Sequence, residues 1–285
     1  MSGKSDVPRK LGILAGGGRL PFQVASAAQA AGRAVFVVGL EGFVDGALLR
    51  TWPHEIIRMG AVGRVLNALR EQGCQDLVLI GPVRRPSLFD LRPDAEGVRV
   101  MARIGRAAFA GDDGLLAAVI KVLGHEGFRI LGAHEVMQEA LGPRGLLTRV
   151  SPDAAAMADI SRGVTVARAL GGVDVGQGCV VQQGFVLAVE AIEGTDAMLA
   201  RCGSLARSAP GGVLVKVVKP GQDRRADLPA LGPDTVAAAA AAGLRGIAFE
   251  AGGTILVDQS ATIAAADKAR LFLLGLDPEQ IKQGS

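Results

Sequence analysis

Asp223 and Asp227 stand four residues apart in the run KVVKPGQDRRADLP (Lys216–Pro229), with Arg225 between them and Lys216 and Lys219 ahead. Paired carboxylates with flanking cations are what a Mg2+-assisted phosphoryl site requires. Carboxylate oxygens hold the hard cation, and the metal together with lysine or arginine neutralises charge developing on the phosphate. Read as composition alone, the same residues make a salt-bridged surface loop bracketed by Pro220 and Pro229.

Other segments could also meet an anion. Gly16-Gly17-Gly18-Arg19-Leu20-Pro21 separates an apolar run from a helical one. Glycines let the backbone approach an anion, a helix start offers unpaired N–H groups, and Arg19 adds a planar donor fork. The segment lacks GxxxxGK[ST], and Pro21 takes the place of the third glycine of GxGxxG. Its plain alternative is a tight strand-to-helix turn. Gly81-Pro82-Val83-Arg84-Arg85-Pro86 shares a sheet edge with the glycine loop if the preceding strands are parallel. Arg84 and Arg85 could then clamp a diphosphate, or belong to a solvated loop. At about 100° per residue, Arg92, Arg99, Arg103 and Arg106 fall in one narrow sector, a basic face suited to anionic headgroups or simply to water. His54, His125 and His134 share no metal-ligand spacing and read as surface or packing residues. Asp112 and Asp113 read as an N-cap. No G-x-S-x-G is present and no cysteine has a base beside it in sequence, so nucleophilic catalysis has no support.

The elements that carry these residues alternate. Apolar runs at 10–15, 34–40, 76–81 and 128–131, with an extended segment near Ile56 and Ile57, are separated by helical patterns at 21–31, 63–72, 94–109 and 114–125. This predicts a Rossmann-like N-terminal α/β domain over 9–135 with a mostly parallel sheet. In such sheets ligands bind beyond the carboxyl ends of the strands. The pattern loosens over 136–150, read as a linker. A second mixed α/β domain over 151–280 carries the lysine- and aspartate-rich loop. It is expected to end with a strand pair around 247–257 and a helix over 263–274.

Composition narrows the function classes. A chain of 285 residues, 49% hydrophobic and 21% charged, can bury two cores. One Trp, nine Phe and no Tyr leave little for stacking bases, and a net charge of +3 is too sparse for a duplex, so nucleic acid is not an expected partner. Cys74, Cys179 and Cys202 are odd in number and widely spaced, against a disulfide framework or a zinc site. The polar start of the chain carries no signal peptide, and no apolar stretch reaches the roughly 18 residues of a membrane helix. The expectation is a cytoplasmic chain that at most lies on a membrane.

The segments LGILAGGGRLP, GPVRRPSL and above all KPGQDRRADLPALG resemble the LpxI family of UDP-2,3-diacylglucosamine pyrophosphatases, from Lys10 to about Leu276. The resemblance implies two α/β domains and hydrolysis of the UDP-sugar lipid to UMP and 2,3-diacylglucosamine 1-phosphate (lipid X). It further implies attack of water at the β-phosphorus, with Mg2+ as cofactor and Mn2+ able to substitute. The work belongs to lipid A synthesis, at the cytoplasmic face of the inner membrane. Asp223 and Asp227 would hold the metal and order the water, with Asp227 favoured as indispensable. Lys216, Lys219, Gln222 and Arg225 would contact phosphate, Gly17, Gly18 and Arg19 the UDP-sugar head, with Arg84 and Arg85 beside them. A non-catalytic carrier of an acylated nucleotide-sugar lipid is the alternative. Carboxylates beside the cations count against it, since an anion carrier gains nothing from negative charge near phosphate. A dinucleotide oxidoreductase is disfavoured by Pro21, although Glu41 lies near the end of the second strand.

Overall fold

The computed structural model describes residues 9–83, 92–105, 111–208, 210–225 and 228–279. The chain is mixed α/β and divides into two units, 9–138 with 223–225 and 139–222 with 228–279.

In the first unit β1 (Leu11–Ala15), β2 (Val35–Leu40), β3 (His54–Ile57), β4 (Asp76–Ile80) and β5 (Arg129–Ile130) make an all-parallel sheet ordered β3-β2-β1-β4-β5. A sheet covered on both faces needs strands apolar along their length. Leu11, Ile13, Val37, Val38, Leu77 and Val78 accordingly are buried. The helices are α1 (Leu20–Ala30), α2 (Gly46–Leu49), α3 (Val62–Glu71), α4 (Ala95–Ile104), α5 (Gly111–His125) and α6 (Ala133–Val136). Pro21 occupies the first turn of α1, and Gly32 at φ +75° follows its end. The chain winds outward from β1 through β2 and β3, then returns to β4 on the other side. The strand order therefore switches between β1 and β4.

At the opposite, amino end of β4, buried Asp76 accepts from Arg129 Nε (2.8 Å) and from two terminal guanidinium nitrogens, of Arg129 (2.7 Å) and Arg33 (2.6 Å). Burial alone pushes this carboxyl up. Arg129 and then Arg33 outweigh burial and hold the carboxyl below the usual carboxylate range. A depressed folded pKa contributes stability that is fully present above the unfolded value of about 3.9 and is lost as pH falls through the lower folded value. Asp76→Asn is therefore expected to cost about 2 kcal/mol in urea unfolding at neutral pH, discounted because Arg129 is largely exposed. The deficit should shrink as pH falls below the unfolded value of about 3.9. A deficit of constant size would show that carboxylate charge is not what binds this edge.

In the second unit β6 (Gly145–Leu146), β7 (Gly178–Gln182), β8 (Phe185–Val189), β9 (Val213–Lys216), β11 (Gly246–Glu250) and β13 (Phe272–Leu276) form a mixed sheet ordered β6-β13-β11-β9-β7-β8. The three central strands β13, β11 and β9 are parallel; β6, β7 and β8 run antiparallel to their neighbours. Val213, Val215 and Val217 pack towards α7 (Ala154–Gly172). Leu214, Ile247 and Phe249 join the core formed with α8 (Gly194–Cys202), α9 (Pro233–Ala241) and α10 (Gln259–Ala269). The β7–β8 hairpin turns on Gln183 and Gly184, both at positive φ, and buried Asp159 of α7 accepts from both backbone N–H groups.

Several sequence expectations change. The helix expected over 263–274 stops at Ala269, where Arg270 turns left-handed, and Phe272–Leu276 is strand β13. A short apolar run reads equally well as buried helix or buried strand, so periodicity could not decide. The expected strand pair around 247–257 is split. The first strand is β11, whereas β12 (Ile255–Leu256) pairs with β10 (Ala230–Leu231) in a separate two-stranded sheet. Of the residues read as a linker, Gly145 and Leu146 are paired with β13 in the second unit. The four-arginine helix face is not formed as expected. Arg92 precedes α4 at φ +38°, Arg106 lies outside the described residues, and Arg99 and Arg103 are ion-paired with Glu96 (3.0 Å) and Glu126 (2.9 Å). Asp112 and Asp113 lie within α5 instead of ahead of it.

Candidate active site

At the carboxyl ends of β1 and β4 the two glycine segments meet. Gly16 N–H donates to the Ile80 carbonyl and Gly17 N–H to the Pro82 carbonyl, both at 2.9 Å. A Cβ on Gly16 would stand 2.5 Å from the Gly81 carbonyl oxygen, and Gly81 itself has φ +98°. Only glycine permits this approach. The expected shared edge is formed, because β1 and β4 are parallel neighbours. Gly17 is buried with its N–H already used, so its part there is to let two backbones touch. Gly18 and Arg19 are exposed. Arg19 caps α1 without a side-chain hydrogen bond, the first turn carries no acid, and no described residue partners its guanidinium. An uncapped helix start beside a free arginine attracts an anion. Arg84 and Arg85 lie outside the described residues.

The segment 223–225 also belongs to the first unit. Asp223 Oδ1 accepts from the Arg225 backbone N–H (3.0 Å) and Nε (2.9 Å), while Oδ2 accepts from a terminal nitrogen of Arg225 (2.6 Å). The Arg225 hydrogen bonds, opposed by burial, hold the Asp223 carboxyl below its ordinary range. Carboxylate and guanidinium, read from sequence as separate ligands for metal and phosphate, thus face each other. Asp227 lies outside the described residues. Beyond β5, Glu135 Oε1 accepts from Gly132 N–H (2.8 Å). A side chain on Gly132 would run into the His134 ring and approach the Arg224 carbonyl oxygen to 3.1 Å. His134 Nδ1 is buried without a hydrogen-bond partner among the described residues. This histidine, dismissed on sequence for lack of spacing, therefore lies near the aspartate loop.

In the second unit the strand end is braced. Lys216, last residue of β9, is buried and donates to Thr195 Oγ1 at 2.6 Å. Thr195 in turn donates to Glu190 Oε1 at 2.6 Å. Val218 N–H donates to Glu250 Oε2 (3.0 Å) and Lys219 Nζ to Asp174 Oδ1 (2.7 Å). Lys219-Pro220-Gly221-Gln222 is a turn closed by Gln222 N–H to the Lys219 carbonyl (3.2 Å), with Gly221 at φ +79°. Proline at its second place and a left-handed glycine at its third make the type II pattern. Gln222 Oε1 accepts from Lys219 N–H (3.3 Å). Sequence reasoning missed Glu190, Thr195, Asp174 and Glu250. The one available signal was Glu190, a carboxylate closing an apolar run, where an unpaired charge would be costly.

Among the described residues no three His, Cys, Asp or Glu side chains gather into a metal cage. Mg2+ does not need one, since it keeps waters and takes one or two carboxylates plus substrate phosphates. Asp223 can contribute an oxygen if Arg225 shifts, so the described residues are compatible with such an ion. A separate cavity of about 660 Å3 along α3 and α4 is lined by five carboxylates and two arginines, the wrong balance for a diphosphate.

Residues 10–140 match the LpxI N-terminal domain and residues 143–274 the LpxI C-terminal domain. The chain is 49% identical over 278 residues, 95% of its own length and 99% of the relative's, to a Caulobacter vibrioides protein named UDP-2,3-diacylglucosamine pyrophosphatase LpxI. Both units and nearly every residue just described fall within these matches, and the chain belongs to the LpxI family.

Proposed function

We propose that this chain hydrolyses the pyrophosphate bond of UDP-2,3-diacylglucosamine to UMP and 2,3-diacylglucosamine 1-phosphate, in lipid A biosynthesis. The observation that carries the reading is 49% identity across nearly the whole of both chains to a protein named for that activity. The site's chemistry supports it. Gly18 and Arg19 offer donors to an anionic head, and Arg84 and Arg85 follow the adjoining strand. Asp223 and Asp227 hold Mg2+, which supplies charge neutralisation to the phosphates when bound. Arg225, once turned from Asp223, binds a phosphate oxygen, and Lys219 and Gln222 shape the turn that precedes the aspartates in sequence. Water attacks the β-phosphorus, the bridging bond breaks, and UMP leaves with the bridging oxygen. Incubation with the substrate and Mg2+ in isotopically labelled water, followed by phosphorus NMR, tests this. UMP must appear, with the label in the sugar phosphate. Tight binding without UMP would leave a lipid carrier instead.

No described helix is long and apolar enough to cross a membrane. The proposed substrate's two acyl chains support a reaction at a membrane surface, which on the lipid A reading is the cytoplasmic face of the inner membrane, with the chain bound peripherally. Arg99 and Arg103 are exposed, and each basic side chain at an anionic surface is worth about 1 kcal/mol. Their existing ion pairs reduce that. Replacing both by Gln should weaken sedimentation with anionic vesicles by less than about tenfold while leaving kcat on detergent-dispersed substrate unchanged. Unchanged sedimentation would remove this face from membrane capture.

A further inference from the structure

The brace at the end of β9 is incomplete in an informative way. Lys216 and Glu190 are 3% and 7% exposed, and their charged atoms are 3.6 Å apart, too far for a direct hydrogen bond. Thr195 spans them, accepting from Lys216 Nζ and donating to Glu190 Oε1, both at 2.6 Å. An ammonium has three donors, and Thr195 is its sole hydrogen-bond acceptor among the described residues. Glu190 Oε2 is buried with no hydrogen-bond partner among the described residues. It lies 2.7 Å from where a Cβ on Gly178 would stand, so glycine at 178 keeps room for it. Buried polar atoms without partners cost free energy, and a charged one costs most. The pair therefore holds spare donors beside one spare acceptor, at the carboxyl end of the parallel strands. Ligands of α/β sheets bind at such ends.

We propose that Lys216 and Glu190 form the subsite for the sugar-phosphate half of the substrate, and that Thr195 is the residue that positions them. This rests on the pyrophosphatase reading above. The spare donors on Lys216 take a phosphate oxygen, and Glu190 Oε2 takes a hydroxyl or amide N–H adjacent to it. That pairing of an oxyanion with a neighbouring donor is the chemistry of an acylated hexosamine 1-phosphate. Uridine monophosphate, a 5'-phosphate monoester, carries no hydroxyl or N–H on the carbon next to the one that bears its phosphate. Thr195 keeps the ammonium from collapsing onto Glu190, which would use up both spare groups.

The test uses the full chain and measures binding of lipid X in detergent and of UMP, each alone. Thr195→Val preserves shape but cannot bridge. It should weaken lipid X at least tenfold and leave UMP within twofold, and Thr195→Ser should recover lipid X binding to within about threefold. Glu190→Gln, which keeps shape and loses the charge, should likewise weaken lipid X alone. Equal losses for both ligands, or none in either variant, overturn the assignment. If Thr195→Val does not fold by its thermal melt, Glu190→Gln decides on the same criteria. A parent chain that turns over no UDP-2,3-diacylglucosamine would defeat the pyrophosphatase reading itself, a result separate from a variant that binds both products normally.

Discussion

Asp227→Ala is expected to lower kcat/KM by about a hundredfold or more while substrate binding and fold persist. If Asp227 serves the metal, its loss should be felt in charge stabilisation, where one group is typically worth about 10²–10³ in rate. Asp223 is hydrogen-bonded to Arg225 through both oxygens, so it starts charge-compensated. Asp223→Ala should accordingly cost less, because it also frees Arg225. Retention of more than about a tenth of parental kcat/KM by Asp227→Ala, a loss under about 1.4 kcal/mol, would exclude it as the principal ligand. A larger loss in Asp223→Ala than in Asp227→Ala would reverse their order.

Chelation is expected to have an effect of comparable size. Exhaustive EDTA treatment should bring turnover to background, and Mg2+ or Mn2+ should restore it, since oxygen ligands suit hard cations. The arrangement also predicts how restoration behaves. With few protein ligands, much of the coordination must come from substrate phosphates, so the apparent metal affinity should rise with substrate concentration. Full activity after chelation would leave the arginines and lysines as the sole stabilisers of phosphate charge. Metal affinity independent of substrate would point to a protein-only cage.

Much of the N-terminal unit was legible in the sequence because its signals are local. Apolar runs bounded by glycine and proline named the strands, Pro21 and Gly32 bounded α1, and alternation with helices implied parallel pairing. From parallel pairing alone, the Gly16–Gly18 and Gly81–Pro82 segments had to share an edge. The turn at Lys219–Gln222 was equally local, a proline and a glycine in the places a type II turn demands. The C-terminal unit was less legible. Its sheet mixes strand directions, and Phe272–Leu276 has an apolar run that fits helix or strand until a neighbouring strand selects one.

What the residues of the site do to one another was decided by tertiary structure. Lys216 and Lys219 look alike in sequence, two cations ahead of an acidic loop. In the fold, Lys216 is drawn to Thr195, 21 residues away, and Lys219 to Asp174, 45 residues away. Asp76 is one more polar residue at a strand start until β5 brings Arg129 beside it. Residue type and spacing determine which chemistries a segment can perform and which element carries it. Whether a given charge is spent on a partner or left for a ligand depends on which strands become neighbours, and that order follows from burying the whole core at once.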